Sequence, residues 1–214
     1  MTHLTIEPSI LYVGTPVELI STENGDGTYN LAPMSSAWAL GDVVVLGFGA
    51  EGQTAYNLQR RRELVINFPS PELWESVERI AGVTGRDPVP EHKRARFRHE
   101  RAKFEAAGLT PVESELVRPP RVAECPLQFE AHAVHTELDA EGNFLIVQAK
   151  VLRVHADHRV VVPGTSYVDP DAWSPLIYNF RHYFGLGSQL GESFRTETPT
   201  ADRVPAGAGR APRR

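Results

Sequence analysis

Extended runs outnumber helical ones along this chain, and that balance restricts its fold more than any single motif does. "PVELIST" alternates apolar Val17 and Leu19 with polar positions, and "ENGDGT" follows. Asn-Gly and Asp-Gly between extended runs are a strong hairpin signal. "TYNLAPMSSAW" is the second extended piece, interrupted by Pro33. Proline cannot donate to a sheet ladder, so this stretch is expected at an edge, a bulge or the lip of a site. "DVVVLGF" and "ELVINF" are short apolar strands, and residues 125–162 read as a long hairpin around "DAEGN". Two helices are marked. Ser70, Pro71 and Glu72 open one, Leu73, Val77 and Ile80 share its face, and Gly82 closes it. The second is expected over residues 91–108, with Phe97 and Phe104 two turns apart and Gly108 as its C-cap. A doubly wound parallel fold would alternate strand and helix regularly, and this chain does not.

The glycine turn in "VVVLGFGAEGQTAYNLQRRR" is the one feature that speaks for that fold, and a dinucleotide-binding Rossmann enzyme stays a third possibility on its spacing alone. Gly47, Gly49 and Gly52 spell G-x-G-x-x-G between an apolar strand and a helix. In a Rossmann fold this spacing seats a pyrophosphate, and an acidic residue about 20 positions on binds the ribose. Glu72 stands at the right distance but falls in the first turn of a helix, behind Ser70 and Pro71. What remains is local: unpaired N–H groups at a strand-to-helix turn favour an anion, and Thr54 adds a hydroxyl. The alternative is a glycine turn with no ligand.

Other chemistries find less support. The formal net charge is -5 and no long basic face is visible, which disfavours nucleic acid as a partner. Cys125 is the sole cysteine, so an internal disulfide framework and a cysteine-rich zinc site are excluded. A lone cysteine reads as a small buried hydrophobe. His132 and His135 lie three apart on one strand, which strict alternation sets on opposite faces, and His155 and His158 have the same spacing. No metal site is expected. The run Lys93, Arg94, Arg96, Arg98, Arg101 and Lys103, interleaved with Glu100 and Glu105, reads as a solvated helix face. No membrane-length apolar run and no basic-then-apolar leader is seen, so a cytoplasmic protein with no membrane partner is expected.

The segments "NLAPMSS", "GQTAYNL", "ELVINFPS" and "KFEAAGLTPVESELVRPPRVAECPLQFE" occur in that order, and "SPLIYNFRHYFGLG" comes near the end. Together, over residues 8–187, they resemble the flavin reductase-like family with the FMN-binding split-barrel fold. The resemblance implies a mainly β protein, a Greek-key split β-barrel with peripheral helices, that dimerises and holds FMN near the subunit interface. The expected organisation is one FMN-binding domain over residues 1–190 and a disordered Pro/Gly/Arg-rich tail over 191–214.

Carried onto this sequence, the resemblance sets Asn30, Ala32, Pro33, Met34, Ser35 and Ser36 along the flavin, and Gln53, Thr54 and Asn57 at its phosphate. Many relatives carry a lysine and an aspartate just before the threonine. Gly52 and Gln53 stand there in this chain, which implies a less cationic phosphate site. Arg181 and Tyr183 in the closing segment are candidate pocket residues on the nicotinamide or acceptor side. No side-chain acid or base is assigned. The implied activity is hydride transfer from NAD(P)H to FMN, with electrons passed to oxygen, a partner monooxygenase or a small acceptor. The other class of function open to the same residues is a flavin-binding electron carrier or ligand-binding module without NAD(P)H turnover.

Overall fold

The computed structural model describes residues 1–199. Strands β1 (Val13–Pro16), β2 (Glu18–Glu23), β3 (Tyr29–Met34), β4 (Ala37–Leu40) and β5 (Val43–Gly49) lead into helix α1 (Gln53–Leu58) and strand β6 (Glu63–Phe68). Helix α2 (Trp74–Ala81) follows a single 3-10 turn at Pro71–Leu73. Two-residue strands β7 (Val83–Thr84) and β8 (Arg98–His99), helix α3 (Lys103–Ala107) and strands β9 (Pro111–Val112) and β10 (Arg121–Val122) form the middle of the chain. The long strands β11 (Leu127–Leu138) and β12 (Phe144–Ala156) and the hairpin β13 (Ile177–Asn179) and β14 (His182–Phe184) complete it.

Seven strands form one antiparallel sheet in the order β3-β2-β6-β11-β12-β5-β4. Its two edge strands, β3 and β4, are consecutive in the chain and joined only by Ser35 and Ser36. The sheet therefore curls until its edges meet at this corner without a ladder between them, which is the split of a split barrel. Gly47 N–H donates to the Ser36 carbonyl at 2.8 Å across the corner. A Cβ on Gly47 would lie 3.4 Å from the Ser36 Cβ, so the glycine permits the close approach. Gly52 serves the turn itself, where a Cβ would come within 3.1 Å of the Gly49 carbonyl.

Alternation along β2 divides the core. Ile20 joins Leu46, Leu64, Ile66, Leu145 and Val147 inside the barrel. Its neighbour Leu19 faces the other way, into a second cluster with Val77, Ile80, Ala107, Cys125 and Leu176 under α2 and α3. Each fully buried Leu or Ile contributes about 1.5–3 kcal/mol relative to exposure. Burial, with Glu124 adding to it, pushes the Cys125 thiol far above its ordinary value and leaves it inert.

Several expectations are met and some are corrected. The "ENGDGT" turn closes the β2–β3 hairpin with Gly27 at φ 83°, and Gly108 caps α3 at φ 66°. The mainly β split barrel stands. Residues 91–108 do not form one helix: they contain a 3-10 turn (Glu91–Lys93), β8 and the five-residue α3. Tertiary pairing of Arg98 with Val83 overrides the charged helical pattern there. Strict alternation also fails on β11. A bulge between Ala133 and His135 shifts the register, so His132 and His135 are both exposed rather than on opposite faces. His155 reaches the fully buried Glu130, its Nε2 at 2.6 Å from Oε1, and that carboxylate also accepts from the Glu115 and Leu116 amides. Residues 200–214 of the expected tail lie outside the described residues. Among the described residues no helix is long and apolar enough to cross a membrane.

Candidate functional site

The barrel corner opens into a cleft of about 260 Å³. Pro33, Met34, Ser35 and Ser36 form one side, and Gly47 to Gly49 and Gly52 to Ala55 form the next. The end of α2, Val83 and Thr84 close it below, and Lys93, Phe97 and Lys103 come from the middle segment. β3 is an edge strand, so the missing donor of Pro33 is tolerated there. Tyr12 crosses to the corner, its hydroxyl 2.7 Å from the Ser36 hydroxyl.

A hydrogen-bond network fixes the α1 wall. Asn30 Nδ2 donates to Thr54 Oγ1 at 3.0 Å, while Asn30 Oδ1 is buried without a partner. Gln53 Nε2 donates to Asn57 Oδ1 at 2.8 Å, and Asn57 Nδ2 donates to Thr22 Oγ1 and Asn24 Oδ1, both at 3.0 Å. These bonds tie α1 to the β2–β3 hairpin. α1 has only six residues, so side chains shape this wall more than a macrodipole does.

The expected site residues thus separate into two groups. Ala32, Pro33, Met34, Ser35, Ser36, Gln53 and Thr54 line the cleft together. Asn30 and Asn57, each 2% exposed, stand behind it and hold Thr54 and Gln53. A second, more open cleft of about 600 Å³ adjoins the first and shares Tyr12, Pro33, Met34, Ser35 and Phe97 with it. Tyr183 lines this second cleft and donates its hydroxyl to Glu78 Oε2 at 2.9 Å. Burial and that hydrogen bond push the phenol well above its ordinary value. Arg181 lies elsewhere, in a groove with Trp74 and Phe184 on the far side of Tyr183. It shares with Phe180 the left-handed tip of the β13–β14 hairpin, at φ 67° and 44°.

Tyr12, Phe97, Lys93 and Lys103 also line the cleft, and local sequence pattern marks none of them as site residues. Lys103 is the most telling, because it is 4% exposed rather than part of a solvated face. Burial, then the charge of Lys93, holds its ammonium down to about 8, with Glu100 working in the opposite direction. One signal was available: Lys103 sits four residues before the buried Ala107, on the inward side of its short helix.

Comparison with known proteins identifies the family and the fold. Residues 11–187 match the family described as "Flavin reductase like domain", and the chain belongs to that family. It is 48% identical over 195 residues to the "Uncharacterized protein YdfE" of Bacillus subtilis (strain 168), covering 90% of this chain and 94% of that one. Among solved structures it resembles flavoredoxin of Desulfovibrio vulgaris (Miyazaki F), with a TM-score of 0.74 at 21% identity over 92% of this chain and all (100%) of that one. It also resembles nitrilotriacetate monooxygenase component B from Bacillus cereus, with a TM-score of 0.71 at 17% identity over 90% of this chain and 100% of that one. At those identities the two structures establish the shared fold.

Proposed function

We propose that the chain is an FMN-dependent oxidoreductase of the flavin reductase type, with the flavin in the corner cleft. The observation that carries this reading is the convergence of Pro33–Ser36, the glycine turn and Thr54 on one cleft. The residues present suit such a cofactor. One wall is apolar, from Ala32 to Met34 with Phe48 and Ala55, and the other offers hydroxyl and amide groups of Ser35, Ser36, Gln53 and Thr54. Pockets that hold a small cofactor combine these two features. The buried, unpartnered Asn30 Oδ1 behind Thr54 leaves an acceptor for a ligand or its bound water.

FMN held there would supply the redox chemistry that links a hydride donor such as NAD(P)H to a second acceptor. The chain's own work is binding and orientation. Pro33 to Ser36 present a rigid edge of backbone and small side chains to a planar ring. Thr54 is held by Asn30, and Gln53 by Asn57, so both are set before a ligand arrives. Tyr12 and Tyr183 line the adjoining cleft, the side open to a nicotinamide or an acceptor. Arg181 acts at most at the outer rim of that side, beyond Tyr183. The partner class includes a monooxygenase, in keeping with the component B structure, or a small-molecule acceptor.

The reading includes a homodimer. Trp38 and Leu40 on β4 and Phe144 and Ile146 on β12 are all exposed. Val45 and Val43 of β5 pair with Trp38 and Leu40 on one side and with Gln148 and Lys150 on the other, while Phe144 and Ile146 pair with Gly49 and Gly47, so one sheet face carries both apolar pairs with polar residues beside them. Phe144 pairs with Gly49, which lines the cleft, so a second copy covering this face borders the flavin. Trp38→Glu is expected to turn the dimer into a monomer in light scattering; an unchanged mass removes this face from the interface.

The activity test is a visible spectrum of the protein with FMN, before and after anaerobic NAD(P)H. Flavin bands that bleach support the oxidoreductase. A yellow protein that does not bleach supports the electron-carrier alternative, and no flavin bands under any condition refute both.

A further inference from the structure

The second cleft, of about 600 Å³, is walled by aromatic rings. Tyr178 packs against Tyr12 at 5.6 Å between ring centroids and against Tyr183 at 5.5 Å, so three tyrosines make one continuous wall. Phe97 adds a fourth ring from the middle segment, and Met34 and Val77 supply aliphatic surface. A space of this size and lining takes a flat apolar ring by stacking and burial. Its polar groups are few and unequal. The Tyr12 hydroxyl is taken by Ser36 and the Tyr183 hydroxyl by Glu78. The Tyr178 hydroxyl has no partner among the described residues. Burial pushes its phenol above the ordinary value, against the charge of Arg181, so it remains a proton donor. Arg96 is the one cation lining the cleft, and among the described residues its guanidinium forms no ion pair and no hydrogen bond. Its backbone is held in place, with the amide donating to the Lys93 carbonyl at 3.0 Å.

We propose that the second cleft binds a planar aromatic monoanion, an aryl carboxylate, with its ring against the tyrosine wall and its carboxylate on Arg96. A guanidinium fork matches the two oxygens of a carboxylate, and a free one at the edge of an aromatic wall reads both features of such a ligand at once. The charge count sets the class further. One cation balances one negative charge, and Glu78, the one carboxylate lining the cleft, repels a second. An aliphatic acid carries the right charge but forfeits the stacking. The second cleft shares Met34 and Ser35 with the corner cleft, so a ring bound there lies beside the flavin, on the acceptor side. That placement rests on the flavin reading above; the binding itself does not.

The test is a calorimetric titration of the FMN-loaded protein with naphthoate, with its uncharged isostere naphthamide, and with the saturated, non-planar decalin carboxylate. It is run on the wild type and on Arg96→Gln, an exposed position whose substitution leaves the fold intact. The wild type is expected to bind naphthoate about 5-fold more tightly than naphthamide, the scale of one partly exposed ion pair. Decalin carboxylate is expected to bind about 3- to 10-fold more weakly than naphthoate, the scale of lost ring packing. Arg96→Gln is expected to bind naphthoate and naphthamide alike, with naphthamide at its wild-type affinity. No binding of naphthoate, equal binding of any two of the three ligands to naphthoate's level by the wild type, or a charge preference that survives Arg96→Gln overturns the proposal. A shift of the flavin absorption band on adding naphthoate upholds the ring's place beside the flavin, and binding without a shift overturns that placement. If the protein takes up no FMN, the flavin reading fails by itself, and the same titrations of the flavin-free protein decide the cleft.

Discussion

The cleft has two walls of opposite character. One wall, made by β3, the glycine turn and α1, is neutral and bound to itself through Asn30, Thr54, Gln53 and Asn57. The other, from residues 93–103, is cationic, and Lys103 makes no ion pair among the described residues. The neutral wall uses its polar groups to hold the fold in place. The cationic wall leaves charge unspent. Polar groups satisfied internally contribute to stability, whereas a charge kept without a partner in a cleft costs stability and gains a use only when a ligand arrives.

That contrast can be broken by substitution. The largest effect is expected for Asn57→Ala, which removes three hydrogen bonds inside the neutral wall. Stability should fall by about 2–4 kcal/mol in denaturant titration. Unchanged stability with a loss of FMN affinity alone would make Asn57 a ligand contact instead of a brace. Thr54→Val comes next. It strips Asn30 Nδ2 of its acceptor, so a loss of about 1–3 kcal/mol is expected, together with weaker FMN binding. A loss of binding with full stability would show that the Asn30–Thr54 bond contributes nothing to the fold.

Glu18 sharpens the same contrast at the back of the neutral wall. It pairs with Met34 on β3, is 1% exposed, and has one carboxylate oxygen without a partner. Burial pushes its carboxyl well above the ordinary 4.5. The folded state therefore holds a proton that the unfolded state releases, and stability falls as pH rises from 4.5 toward the folded value. Glu18→Gln removes that penalty. Its melting temperature should match the wild type near pH 4 and exceed it at about pH 7; parallel profiles would contradict the buried neutral carboxyl. The smallest effect on stability is expected on the cationic wall. Lys93→Ala should stay within about 0.5 kcal/mol of the wild type. Its FMN affinity should drop and lose part of its salt dependence, as removal of one cation from the ligand's side predicts.

The two walls were also unequally legible in the sequence. Strand, turn and helix in "DVVVLGFGAEGQTAYNL" are local patterns, and each formed where the residues direct it. Pro33 was expected at an edge or a lip, and it is at both, on the edge strand β3 and on the rim of the cleft. The two-helix, many-strand pattern counts against a parallel fold, and among the described residues the only parallel pairing is the two-residue β7–β8 contact. The cationic wall depends instead on where the chain returns after α2. Charges at 93–103 fit a solvated helix by composition, but pairing of β8 with β7 breaks that helix and turns Lys103 inward. Asn57 was legible as a polar residue near the turn, but not as a buried brace, because its partners Thr22 and Asn24 lie more than 30 positions away. Contacts of that span leave no periodic trace in a single sequence.

The account stands most directly on the position of a bound flavin. A crystal structure of the protein soaked with FMN is predicted to show the ring against Pro33–Ser36 and the phosphate between Thr54 and Lys103. A flavin seated in the outer groove near Trp74, or a phosphate turned away from Lys103, would contradict it.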